Sequence, residues 1–276
     1  MRETVESIEH NGLALRYISS GSGSHLVLAF HGFARSPEEF IDAIGDTGIL
    51  LLSFYLPGHD GAHDITSKSI DLKLWCQLLE SLIDRYKPQA ITVIGYSLGG
   101  RIAIATCLNW RIKSYRLLLL APDGIQMNFL QRFALKRKLG FWIFHALMKS
   151  PNSFIFLTVA LGRLGIIPRQ TCYFLLRQLR DESKRRIIME VFPLFREFIS
   201  REKTVVKFLE SLSTRALIVL GKQDPIISAQ DLLKLPNKIV KSSILIIEDA
   251  SHDLLSFRHV NRWKGFLLEG GKSTSM

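Results

Sequence analysis

The sequence predicts an α/β protein, a mostly parallel, doubly wound β-sheet with one α-helical segment inserted into it. Two observations carry this. Short, continuously apolar runs rich in Val, Ile and Leu recur along the chain and alternate with longer helix-like stretches, the pattern of strands covered on both faces. That alternation stops between Pro122 and Lys207, where the charge changes as well: 16 Lys and Arg stand against 6 Asp and Glu there, and 20 against 19 in the remainder. Pattern and charge therefore place the same boundary. A core is expected from 1–121 and 208–276, with a helical cap at 122–207 after the sixth strand.

The elements follow in order. TVESIEH and LALRYISS, separated by Asn11-Gly12, read as an antiparallel hairpin at a sheet edge. LVLAFHG from Leu26, ILLLSFYLPG from Ile49, ITVIGY from Ile91, YRLLLLAP from Tyr115, RALIVLG from Arg215 and SILIIED from Ser243 read as buried strands. The insertion reads as three helical runs: MNFLQRFALKRKLGFWIFHALMK, SFIFLTVALGRL, and PRQTCYFLLRQLRDESKRRIIMEVF opening on Pro168. Pro193 is expected to kink or end the last of them.

A chain of 276 residues with 47% hydrophobic content can bury one full core. Cys76, Cys107 and Cys172 are odd in number and far apart, which suggests neither a disulfide framework nor a zinc site and fits a reducing compartment. The acidic start MRETVESIEHNGL is unlike a signal peptide, and no apolar run has the length of a membrane span. A cytoplasmic location is expected, and no cofactor is called for.

The chemistry centres on VIGYSLGGRIA. Ser97 lies between a strand and a helix, at the carboxyl edge of a parallel sheet, where ligands bind. So sharp a turn needs neighbours without side chains, which Gly95 and Gly99 supply, and the Leu98 amide at the helix start can stabilise an oxyanion. A serine hydroxyl attacks only when an imidazole takes its proton and a carboxylate orients that imidazole. Asp224, just past the strand ending at Gly221, and His252, in the loop after the strand ending near Glu248, supply both at the same edge. The bland alternative is a tight turn whose glycines serve helix packing.

HGFARS, LPGHD, GYSLGG, GKQDPI and ASHDLL, in that order, resemble the motifs of the α/β-hydrolases, over essentially Leu13 to Leu268. The resemblance implies a catalytic triad of Ser97, Asp224 and His252, with the Phe33 amide joining that of Leu98 in an oxyanion hole and His31 bracing the Phe33 loop. His31, Tyr96 and Arg101 are the substrate-side candidates. Asp123, Asp249 and Asp253 are rival acids, but Asp224 holds the family's usual acid position, and Asp123 with Gly124 reads as turn chemistry at the entry to the insertion. His59 and His63, with Asp60 and Asp64, lack recognised metal spacing, and loop packing is the expectation.

Ser97 argues against the dehalogenases and epoxide hydrolases of this fold, which need an aspartate at its position. The resemblance implies hydrolysis of a carboxylic ester or thioester through an acyl-serine, without metal or cofactor. Two alternatives stay open. GYSLGGRIA is similar to the elbow of the menaquinone-pathway SHCHC synthase, with Arg101 in the place of an arginine that binds substrate carboxylate, which points to lyase or carbon-carbon bond chemistry; APDGIQ departs from that enzyme's EGGHPG. A non-catalytic binding protein on this fold is the other.

The expected partner is a small-molecule or lipid-like acyl substrate, with no nucleic acid. Phe129, Phe133, Phe141, Trp142, Phe144, Phe154 and Phe156 accompany Arg132, Lys136, Arg137 and Lys138 in the cap. Either the aromatics pack inward while the cations face water, or an exposed apolar face ringed by cations rests on an anionic membrane or grips an anionic acyl group.

Overall fold

The computed structural model describes residues 3–45, 47–59, 69–126, 140, 142, 143, 146, 149–166, 169–212, 215–236, 239 and 243–269. Asn11 and Gly12, both with positive φ, turn the chain between β1 (Thr4–His10) and β2 (Leu13–Gly21), which pair antiparallel. The remaining strands are β3 (His25–Phe30), β4 (Leu50–Phe54), β5 (Ala90–Tyr96), β6 (Arg116–Leu120), β7 (Ala216–Gly221) and β8 (Ile244–Ile247). They form one eight-stranded sheet in the order β1-β2-β4-β3-β5-β6-β7-β8, parallel from β4 onward. Every strand read from the apolar runs is present, most within a residue or two, and β4 ends at Phe54, four residues before the quoted run does.

Those runs are apolar on both faces because both faces are covered. Leu26, Leu28 and Phe30 of β3 face one core, shared with Trp75, Leu78, Leu79 and Leu82 of α2 (Leu72–Tyr86) and Ile102 of α3 (Leu98–Asn109). Val27 and Ala29 face the other, shared with Phe40, Ile41 and Ile44 of α1 (Glu38–Ile44) and with Val260, Trp263 and Leu267 near the end of the chain. Alternate residues of one strand thus feed two cores, which is the double winding.

The strand order reverses at β3, whose neighbours are β4 on one side and β5 on the other. A crevice forms above the carboxyl ends of two strands whose connections depart in opposite directions. The loop after β3 and the turn after β5 both open there.

Between β6 and β7 the labelled elements are helices: α4 (Pro151–Arg163), α5 (Arg169–Arg180), α6 (Glu182–Leu194) and α7 (Glu202–Leu212). The long run opening on Pro168 is two helices rather than one, because the chain leaves helical geometry at Asp181. Aspartate is favoured at a helix start, and Glu182 begins the next helix with an acid in its first turn. Pro193 is accommodated in the last turn of α6, which ends one residue later. Of the run 127–149, only 140, 142, 143, 146 and 149 are among the described residues, all helical.

Candidate active site

The serine turn is as crowded as its glycines imply. A Cβ at Gly95 would overlap the Gly99 carbonyl, and a Cβ at Gly99 would overlap the Phe30 carbonyl at the end of β3. Ser97 itself has φ 52° and ψ −114°, a strained conformation for a residue with a side chain, held by main-chain bonds from Ser97 N to Leu120 O and from Gly100 N and Asp123 N to Ser97 O, all 2.9 Å. A serine preceding a helix ordinarily bonds its hydroxyl to the first helical amides. Here no such capping bond forms.

Instead Ser97 Oγ lies 3.1 Å from His252 Nε2, and His252 Nδ1 lies 2.7 Å from Asp224 Oδ2. A carboxylate only accepts, so Nδ1 carries the hydrogen and Nε2 is left to accept from the serine. The Asp224 side chain is fully buried, and its Oδ1 accepts from the amides of Ile226 and Ile227 at 2.8 and 3.0 Å. The loops after β7 and β8 interlock: a Cβ at Gly221 would overlap the Ser251 carbonyl, and Gln223 N donates to Ala250 O at 2.9 Å. The rival acids are engaged elsewhere, Asp249 with Arg258, Asp253 with Arg35 and Asp123 with Arg101.

The 31–33 loop faces the same serine, since a Cβ at Gly32 would stand 3.3 Å from Ser97 Cβ. His31 is buried, its Nδ1–H donating to Gly32 O at 2.8 Å and its Nε2 accepting from Leu56 N–H at 3.2 Å. Both ring nitrogens are spent on main chain, so His31 clamps this loop to the one after β4 and has no ring nitrogen left for a substrate. Burial, with a smaller push from His59, lowers its pKa to about 3. His59 packs edge-on against the His31 ring, 4.9 Å between centroids. Asp60, His63 and Asp64 lie outside the described residues, among which no His, Cys, Asp and Glu cluster could hold a metal.

Tyr96 is buried, and its hydroxyl donates to the His252 carbonyl at 3.0 Å. Arg35, from the loop after β3, reaches the same hydroxyl at 3.5 Å and pairs with Glu39 and Asp253. Arg35 thus ties the 31–35 loop to the histidine loop. Its partner Asp253 is 218 positions away, a separation that local pattern does not register.

Arg101, a substrate-side candidate, is buried, and Asp123 lies with Gly124 in a turn, as read, while also meeting Arg101. They form an ion pair in which Arg101 is 2% exposed. Its Nε and Nη1 have no hydrogen-bond partner among the described residues, and the ring of Phe192 in α6 lies 5.8 Å from the guanidinium. The Phe192 ring also lies 5.8 Å from that of Phe33, giving the crevice an apolar wall.

Residues 26–262 match the model of the alpha/beta hydrolase family. Among curated proteins, the chain is 27% identical over 124 residues to Protein PHYLLO, chloroplastic, of Arabidopsis thaliana, a match that covers 41% of this chain. The chain spans only 7% of that relative's length. Among solved structures it is similar to an esterase from Exiguobacterium antarcticum, with a TM-score of 0.64 at 16% identity over 98% of this chain and all of that one. It is also similar to MenH from S. aureus, with a TM-score of 0.61 at 19% identity over 93% and 99% of the two chains.

Proposed function

Because the chain belongs to the alpha/beta hydrolase family, we propose that it is a serine hydrolase that cleaves a carboxylic ester or thioester through an acyl-serine intermediate. The observation that carries this reading is the hydrogen-bonded line from Ser97 Oγ through His252 to Asp224. In the proposed reaction, Nε2 takes the hydroxyl proton as Oγ attacks the acyl carbon, and Asp224 stabilises the imidazolium that forms. The amides of Leu98 and Phe33 receive the negative charge on the former carbonyl oxygen. His252 then protonates the leaving alcohol or thiol, and water repeats the sequence to release the acid. The inserted helices form the cap, and Phe33 and Phe192 receive an apolar acyl group.

Assays on p-nitrophenyl esters, acyl-CoAs and monoacylglycerols test the proposal. Ser97→Ala should lower turnover by about six orders of magnitude and abolish labelling by a fluorophosphonate, with folding intact. Asp224→Asn should cost about 10⁴-fold, while Asp123→Asn, compared per folded molecule, should cost little. A Ser97→Ala variant that turns over every active ester at the wild-type rate would overturn the assignment.

One observation favours a second reading. A buried guanidinium with two unpartnered nitrogens beside the serine turn suits a substrate that carries a carboxylate, as in the lyase alternative. Reaction in ¹⁸O-labelled water separates the two: hydrolysis places one labelled oxygen in the released acid, and elimination places none.

A further inference from the structure

We propose that the helices between β6 and β7 dock the protein on an anionic lipid surface through the apolar tip and outer face of the α4–α5 hairpin. This goes beyond the catalytic reading and does not depend on it. Residues 124–180 contain no Asp or Glu and nine Lys and Arg. On that acid-free stretch, Trp142, Phe156, Leu164, Ile166 and Tyr173 are each between 59 and 77% exposed. Single exposed apolar residues are ordinary, but five within one acid-free basic segment are not.

The hairpin's own packing does not use these side chains. Its seam is built from small residues: a Cβ at Gly162 would stand 2.9 Å from Cys172 Sγ, and that thiol donates to the carbonyl of buried Thr158 at 3.5 Å. Phe156 and Arg163 are two turns apart on α4, and Leu157 is as far from the C-cap Leu164, so apolar and cationic side chains share one face.

The tip is ordered by its own backbone. Ile166 N donates to Leu161 O at 3.0 Å and Gly165 N to Gly162 O at 3.2 Å, around a left-handed Gly165. In this helix ending the residue in the place of Ile166 often folds back on the last turn. Here Ile166 and Leu164 both point to solvent.

Charge decides the occupant. A second copy would bring two acid-free basic surfaces together, whereas anionic headgroups complement them. Aliphatic tips such as Leu164 and Ile166 enter acyl chains and cannot stack on nucleobases, and Trp, Tyr and Phe favour the headgroup boundary.

The test uses the intact protein with vesicles of phosphatidylcholine alone or with about 30% phosphatidylglycerol, read by cosedimentation and tryptophan emission. Trp75, Trp110 and Trp263 are already buried, so a blue shift on adding vesicles reports on Trp142, and Trp142→Phe should remove it. Partitioning should be about tenfold or more stronger on the anionic vesicles, and should fall between 0.1 and 1 M salt as the Debye length shrinks from about 10 to about 3 Å. The triple variant Phe156→Ser, Leu164→Ser, Ile166→Ser should lose about tenfold while keeping the wild-type unfolding midpoint. Equal binding to both vesicle types, no binding to either, or wild-type binding by the triple variant would overturn the proposal. So would a Trp142 shift that follows protein concentration without lipid, which would assign the face to a second copy.

Discussion

At the scale of single residues, the site rests on buried polar groups whose partners are specified. His31 is held neutral because both ring nitrogens bond to main chain and a charge there would be desolvated. Its pKa falls from 6.5 to about 3 on folding, so below pH 6.5 the unfolded chain binds a proton that the folded protein refuses. That contribution to stability is full above pH 6.5 and is lost as pH falls toward 3. His31→Gln should therefore flatten the dependence of the urea midpoint on pH across that window, and an unchanged slope would refute the linkage. The Arg101–Asp123 pair predicts a different asymmetry. Asp123→Asn leaves a 2% exposed guanidinium without its counter-charge and should cost about 3 kcal/mol, whereas Arg101→Met with Asp123→Leu should cost much less. Unfolding of both variants in urea makes the comparison.

At the scale of elements, the junction of β5 and α3 concentrates the constraint. A methyl at Gly99 meets the Phe30 carbonyl, which belongs to a central strand and cannot retreat, so Gly99→Ala should destabilise by about 3 kcal/mol. Gly265 has nothing within 4 Å of an added Cβ and lies in the helix Lys264–Glu269, so Gly265→Ala should stabilise by about 0.5–1 kcal/mol. Chemical denaturation of the pair separates close approach from mere flexibility. Such elements were legible in the sequence because their physics is local: a run apolar on both faces, Asn-Gly between two strands, glycines two residues either side of Ser97. The break at Asp181 was less legible, since α5 and α6 continue one composition and only the single non-helical Asp181 divides them. The burial of Arg101 was not legible for a deeper reason. A cation on a helix is ordinarily solvated, and only the chain's return at Asp123 buries it.

At the scale of the whole molecule, charge and chemistry are segregated. The segment Pro122–Lys207 holds 16 Lys and Arg against 6 Asp and Glu, while the rest of the sequence, with 20 against 19, is nearly neutral. Charge so concentrated in one segment attracts anionic ligands and weakens with salt. The order of the parts along the chain has a consequence for biosynthesis. Ser97 and its turn are made from β3, β5 and β6, whereas Asp224 and His252 follow β7 and β8 at the far end of the sheet. On the proposed triad, a growing chain therefore makes Ser97 155 residues before the imidazole that would take its proton. The elbow can fold on the ribosome while chemically silent. On that proposal, reactivity toward acyl groups would begin only when the last parallel strand has docked, so the arming of the serine would coincide with completion of the sheet.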